Sequence, residues 1–248
     1  MLELLKDKLT NLVKSNNLRR EEIIINARPL STEEAIGKTT RDNFPLQTGK
    51  EVLVQADFKG SLGQAFTDSP KSFNGSIDDI LSLDLDDNFN LALLIATLNA
   101  VTRHLGMVNS TIHCQNEEPE NCGKEIATQL LAEYGKDTRI GIIGFQPAII
   151  ENISQKFAKD KVKISDLNPK NIGTEIAGVK VWDGKKRTGE LIKESELILA
   201  TGSTIANNSL KEIISLCEEY NKELILFGTT IAGAAELLEL RRICPYSC

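Results

Sequence analysis

Histidine is scarce in this chain, with two in 248 residues. No Ser-His-Asp nucleophile elbow, P-loop or kinase motif is present, which removes the commonest frameworks for acyl and phosphoryl transfer. Acid–base chemistry would fall to carboxylates or lysine. Asp57, Asp68 and Lys38 in the N-terminal part are candidates, and nothing in the pattern selects one of them. Long apolar runs are also lacking: none approaches the roughly 20 residues of a membrane span. The start, Met1-Leu-Glu-Leu-Leu-Lys-Asp, carries acids and has no signal-peptide pattern, so a cytoplasmic protein without a membrane partner is expected. There is no long basic run, and the net charge is −6. That argues against nucleic acid as a partner, because phosphate neutralisation supplies most of such affinity.

Five cysteines stand at 114, 122, 217, 244 and 248. Their odd number and irregular spacing do not make a disulfide framework. His113-Cys114 with Cys122, and Cys244 with Cys248, are the nearest approaches to metal clusters, but neither has zinc-finger spacing. The expectation is that they are ordinary thiols, and that replacing Cys114 and Cys122 by serine leaves folding and metal content intact.

What is there is 41% apolar residues in readable periods. Leu2, Leu5, Leu9, Leu12 and Val13 recur at helical spacing over about 2–14. Strands are expected at 22–27, ending in Arg28-Pro29, and at 51–58. The stretches 37–42 and 59–66 read as polar loops rich in Gly and Thr. Ser76, with Asp78 and Asp79 in the next turn, predicts a short helix to about Leu83. The strongest helix of the first half spans 87–105, with a stripe of Leu91, Leu94, Ile95, Leu98, Thr102 and Leu105. Ala92, Ala96, Asn99 and Arg103 form a shallow adjacent face that a backbone or ligand could approach, and Gly106 closes the helix. Residues 109–121 read as a linker, and 122–134 as a helix.

The second half alternates. Strands are expected at 140–143, 161–164, 179–182, 197–200 and 224–227, with helices at 148–158, 208–220 and 232–240. Apolar strands alternating with helices imply a parallel sheet covered on both faces. Lys185-Lys186-Arg187 reads as a solvated turn. In Arg139-Ile-Gly-Ile-Ile-Gly-Phe-Gln-Pro147 a strand ends at Gly144 and opens into a helix, the start of a Rossmann-like unit. It has two glycines where a dinucleotide fingerprint has three, and Pro147 cannot donate a hydrogen bond. The turn is either an anion site or simply tight. Asp166, 22 residues after Gly144, is either a ribose acceptor or the cap of the turn at Asn168. Thr201-Gly202-Ser203-Thr204 and Gly228-Thr229-Thr230 each follow a strand, and their small hydroxyl residues suit a carboxylate or phosphate. Asn99 either points into an interdomain cleft or is a core amide bonded to a loop backbone.

The segments 90–101, 140–147, 166–169, 201–207 and 228–233, in this order and spacing, resemble one family. It is catalogued under heavy-metal chelation and was formerly a domain of unknown function. The resemblance implies an α/β protein of two domains. The first, 1–120, is an α+β domain like the N-terminal domain of enolase, and the second, 121–248, is a Rossmann-like parallel-sheet domain. It also implies an active site between them. The expected ligand site therefore comprises Asn99, Gly144, Phe145, Pro147, Asp166, Asn168, Thr201, Gly202, Ser203, Thr204, Thr229 and Thr230. Asn99→Ala is expected to weaken ligand binding and to leave stability within about 1 kcal/mol, since a site amide owes the core little. The partner is a small polar or anionic molecule, with a divalent metal as the candidate cofactor. A nucleotide- or adenosyl-dependent enzyme and a non-catalytic binding module are the alternatives. A homo-oligomer is compatible with the sequence.

Overall fold

A computed structural model describes residues 1–18, 25–48 and 51–248. Helix α1 (Leu2–Ser15) buries Leu5, Leu9 and Val13. Strand β1 (Ile25–Pro29) leads to α2 (Thr32–Ile36), closed by a Ser31/Glu34 capping box, and α3 (Pro45–Thr48) follows. The first three residues of the strand expected at 22–27 lie outside the described residues. Strands β2 (Val52–Phe58), β3 (Ser61–Thr67) and β4 (Phe73–Gly75) complete an antiparallel sheet of order β3-β2-β1-β4.

The stretch 59–66, expected as a loop, is largely strand β3. Its turn is Lys59-Gly60, with φ of 52° and 81°. Positive φ at both central residues suits the twist of a two-residue hairpin, and Asp57 Oδ1 accepts the Gly60 N–H at 2.8 Å.

A short helix, α4 (Ile77–Ser82), with Ser76 as its cap, precedes α5 (Asn88–His104). Asp87 caps α5 by accepting the N–H groups of Phe89 and Asn90. This helix is buried on nearly every side, from Phe89 and Leu91 to Thr102, because it lies between two sheets. One face packs on β2 and β3, and the opposite end meets the second half of the chain.

Helix α6 (Glu118–Tyr134) begins a turn earlier than the sequence suggests. It leads into β5 (Ile140–Ile143), α7 (Pro147–Lys156), β6 (Val162–Asp166), β7 (Glu175–Ile176) and β8 (Val179–Asp183). Then come α8 (Gly184–Glu194), β9 (Leu197–Thr201), α9 (Ser203–Ala206), α10 (Leu210–Glu219), β10 (Glu223–Phe227), α11 (Ala232–Leu237) and β11 (Arg242–Ile243). These strands form a sheet of order β11-β10-β9-β5-β6-β8-β7, parallel except for the β7–β8 pair. Helices α6 and α7 cover one face through Ile126, Leu130, Ile149 and Ile153. The other face, with Leu191, Ile192 and Ile213, shares a core with α5 and the antiparallel sheet.

The Lys185–Arg187 patch is the first turn of α8, not a free turn. Asp183 caps it, Leu191 and Ile192 anchor it, and the Arg187 guanidinium lies 3.4 Å from the centre of the Trp182 ring. The short β11 extends the sheet beyond β10, pairing parallel to it through Arg242 and Ile243.

Arg41, from the segment between α2 and α3, reaches the other half. It pairs with Glu120 on α6 and, at 2.9 Å, with Glu151 on α7, and its side chain is 20% exposed. Arg41→Ala would leave two half-buried carboxylates without their shared cation. A loss of about 1–3 kcal/mol is expected. Arg41→Lys should lose less, since it keeps the charge but not the forked geometry. Chemical unfolding of both variants checks this, and an unchanged midpoint in Arg41→Ala would show the pairs to be screened.

Candidate functional site

Strand order reverses between β5 and β9, and in parallel sheets a crevice opens at that point beyond the C-terminal ends. Gly144 follows β5 and Thr201 ends β9, and the two touch. Gly144 has φ +100°, and a Cβ there would lie 2.5 Å from Thr201 Cγ2. Gly202 is equally constrained, its N–H donating to Phe227 O at 2.7 Å and its Cα facing Ile231. Asp166 ends β6, beside β5, so the Gly144, Asp166, Thr201 and Gly228 loops share one edge.

Much of the expected donor set is already engaged. Asp166 accepts the Phe145 N–H at 2.9 Å, the Asn168 N–H at 2.8 Å and Asn171 Nδ2 at 3.0 Å. Its carboxylate thus ties two strand-end loops together. Gln146 caps α7 by accepting the Ile149 N–H at 2.7 Å. With Phe145 N–H given to Asp166, Ile149 N–H to Gln146 and no N–H on Pro147, the turn after Gly144 has little left for an anion. Asn168 is exposed in its own turn, where its side chain accepts the Lys170 N–H. The Thr204 hydroxyl donates to Thr201 O at 2.7 Å, and Thr230 Oγ1 accepts the Phe66 N–H of β3 at 3.2 Å. Thr229 Oγ1 is buried without a hydrogen-bond partner.

Asn99 lies where the two sheets meet, but it is fully buried. Its Nδ2 donates to Gln64 O at 2.8 Å and to Thr229 O and Thr230 O at 3.2 Å, and its Oδ1 accepts the Gly233 N–H at 2.8 Å. Every polar atom of the side chain is engaged by backbone, so it is a clamp between the halves rather than a ligand contact. This replaces the expectation that its removal would be nearly neutral for stability.

Of the expected residues, Phe145, Asp166, Thr201 and Ser203 remain partly accessible at this edge. The wall from the N-terminal part brings Glu51 and Asp68. The Glu51 carboxyl is pushed above its ordinary value, first by burial, then by the negative charges of Asp166 and Asp68. Its side chain still reaches solvent, so the desolvation is partial. Glu51 gave no signal in the sequence, since an acid at the start of a strand is commonplace. A shallow surface concavity of about 550 Å³ lies elsewhere, on the outer face of the antiparallel sheet, between Asn26, Arg28, Gln55, Asp57, Phe73 and Asn74.

Fold and site together define a two-sheet α/β protein whose polar strand-end loops are sealed against a second, antiparallel sheet. Residues 127–243 match the model of the DUF364 family, described as "Putative heavy-metal chelation". A DUF364-family protein of unknown function from Pyrococcus horikoshii shares the fold. It is 17% identical, with a TM-score of 0.52, over 92% of this chain and 79% of that one. Another, from Desulfitobacterium hafniense DCB-2, is 14% identical with a TM-score of 0.49, over 75% and 72%. No curated protein matches this chain. Among the described residues, no helix is long and apolar enough to cross a membrane.

Proposed function

We propose that this protein binds a small polar ligand carrying a positive centre, at the C-terminal edge of the parallel sheet where the antiparallel sheet meets it. One observation carries the reading. The Glu51 carboxyl is held above its ordinary value, first by burial and then by the negative charges of Asp166, from the other half of the chain, and Asp68. Like charges so placed repel until a cation joins them. The partly accessible Thr201 and Ser203 side chains serve the ligand's neutral polar groups.

A ligand amine or a metal ion within its own small chelate would meet these demands. Among the described residues no three metal-ligating side chains converge, so these residues do not fit a resident ion caged by protein alone. The ion would arrive with the ligand. The family's description agrees in the sign of the charge. The reading holds for a binding protein and for an enzyme, acting in the cytoplasm.

Equilibrium dialysis of Zn²⁺ and Mn²⁺, each alone and with one equivalent of histidine as carrier, tests it. Retention of at least one of these, weakened about tenfold or more in Glu51→Gln, is expected, tenfold being about 1.4 kcal/mol. Retention indifferent to Glu51→Gln and Asp166→Asn would overturn it. An adenosyl compound that binds the edge and is lost in Asp166→Asn alone would support the nucleotide alternative instead.

A further inference from the structure

The concavity on the outer face of the antiparallel sheet is floored by amides and a carboxylate. On β1, Asn26 and Arg28 are exposed on either side of buried Ala27. On β2, Gln55 and Asp57 are half-buried between buried Val54, Ala56 and Phe58. Strand pairing sets these side chains in two rows. One row is Asn74, Asn26 and Asp57, and the next is Arg28, Gln55 and Gln64. All but Gln64 line the concavity of about 550 Å³.

Two features separate this face from an ordinary wet sheet surface. The first is composition. Asparagine and aspartate are depleted in strands, yet Asn74, Asn26 and Asp57 stand side by side in one row. Threonine would meet solvent there at less cost to the strands.

The second is the alignment of the polar atoms. Gln64 is 2% exposed, and its Oε1 accepts the His113 N–H at 2.7 Å. Its Nε2 must therefore donate, and it does so to Gln55 Oε1 at 2.9 Å. That leaves the Gln55 NH2 as the group turned to the concavity. Asn74 Nδ2 donates to Asn26 Oδ1 at 2.6 Å, which leaves the Asn26 NH2 and the Asn74 carbonyl. Asp57 gives Oδ1 to the Gly60 N–H at 2.8 Å and keeps Oδ2.

Charge narrows the class of ligand. Both terminal nitrogens of Arg28 are held by Glu34, at 3.1 and 2.6 Å. Its charge is thus already answered, and Asp57 disfavours a phosphate or carboxylate. What remains is donors and acceptors interleaved across strands about 4.8 Å apart. A hydroxyl both donates and accepts. A ring carrying hydroxyls on neighbouring carbons meets this pattern, and an apolar or anionic molecule does not.

We propose that this face binds an uncharged saccharide, laid across β2, β1 and β4, with Gln55, Asp57, Asn26 and Asn74 as its hydrogen-bonding floor. The volume lies within the range of small-ligand clefts, about 300–1,000 Å³. The concavity is open to solvent, so the affinity is millimolar and exchange is fast. The inference does not rest on the strand-end carboxylates, since it uses none of their residues.

The test is titration of the ¹⁵N-labelled full-length protein with maltose, cellobiose, lactose and mannobiose into the tens of millimolar, followed by amide chemical shifts. At least one of the four should move the signals of Asn26, Gln55 and Asn74, side-chain NH2 signals included, and leave Gly144 and Thr201 in place. Asn26→Thr should weaken that binding about tenfold or more, yet unfold at the parent's midpoint or above it, because threonine suits a strand better. Gln55→Glu keeps an oxygen for Gln64 and replaces the donor facing the concavity with an acceptor, so it should weaken binding likewise. No shift with any of the four sugars would overturn the proposal. So would shifts confined to the strand-end loops, or binding indifferent to both variants. A dimer in sedimentation whose dilution moves the same signals without sugar would also overturn it, giving the face to a second copy of the chain.

Discussion

Asn99→Ala is expected to lower the stability of the whole protein by about 3 kcal/mol or more. The side chain holds four backbone groups from three separate segments: Gln64 O on β3, Thr229 O and Thr230 O after β10, and the Gly233 N–H on α11. Each buried group left unpaired costs about 1–3 kcal/mol, and the site is closed to the water that could replace the amide. For a protein of this size, 3 kcal/mol corresponds to a fall of about 6–12 °C in Tm. Asn99→Asp is expected to do no better. It keeps an acceptor for Gly233 but sets its second oxygen against three carbonyl oxygens. Urea unfolding of both variants is the measurement. A loss under about 1 kcal/mol in Asn99→Ala would remove the clamp and return Asn99 to the ligand site.

Gly63→Ala should be worse tolerated than any loop glycine substitution. Gly63 lies on β3 opposite Ala56, directly under α5. A Cβ there would meet Ala96 O, Ala100 N and Asn99 C, all backbone atoms of α5 and all closer than 3.0 Å. Backbone cannot rotate away as a side-chain tip can, so the sheet and helix must separate along a seam lined by Ala65, Ala96 and Ala100. Overpacking typically costs about 1–3 kcal/mol, and with no flexible neighbour the upper end or beyond is expected. Gly60→Ala is the informative contrast. It has open space but φ +81°, so only the left-handed backbone penalty of about 1–2 kcal/mol applies. If Gly63→Ala unfolds at the same midpoint as Gly60→Ala, the close approach of β3 to α5 is wrong.

These two residues also mark how far the sequence can be read. The shallow face of α5 around Ala92, Ala96 and Asn99 is legible from helical spacing, and so is the inference that a backbone comes close. Which backbone it is was not legible, because the segment bearing Gly63 looks like a polar loop. It becomes a strand only when β2 pairs with it. The first turn of α8 was hidden in the same way. Gly184-Lys-Lys-Arg has turn composition, and its helicity comes from the Asp183 cap and from Leu191 and Ile192 docking on the sheet. For the cysteines, spacing carries no signal. Cys248 exchanges backbone hydrogen bonds with Ile112, a contact spanning more than half of the chain.

By itself the sequence determined the local periods, and with them the alternation of strand and helix after residue 139. Parallel strands run in one direction, so Gly144, Asp166, Thr201 and Thr229 had to share the C-terminal edge. What only the tertiary structure decided is which of these groups stay available. Backbone hydrogen bonds must be satisfied wherever water is excluded. In this fold that demand consumes Asn99, Thr230 and much of Asp166. The same packing brings Glu51 within reach of the charges of Asp166 and Asp68. Periodicity is a property of neighbouring residues. The charge and donor balance of a site is a sum over residues from distant segments, and only the folded chain performs it.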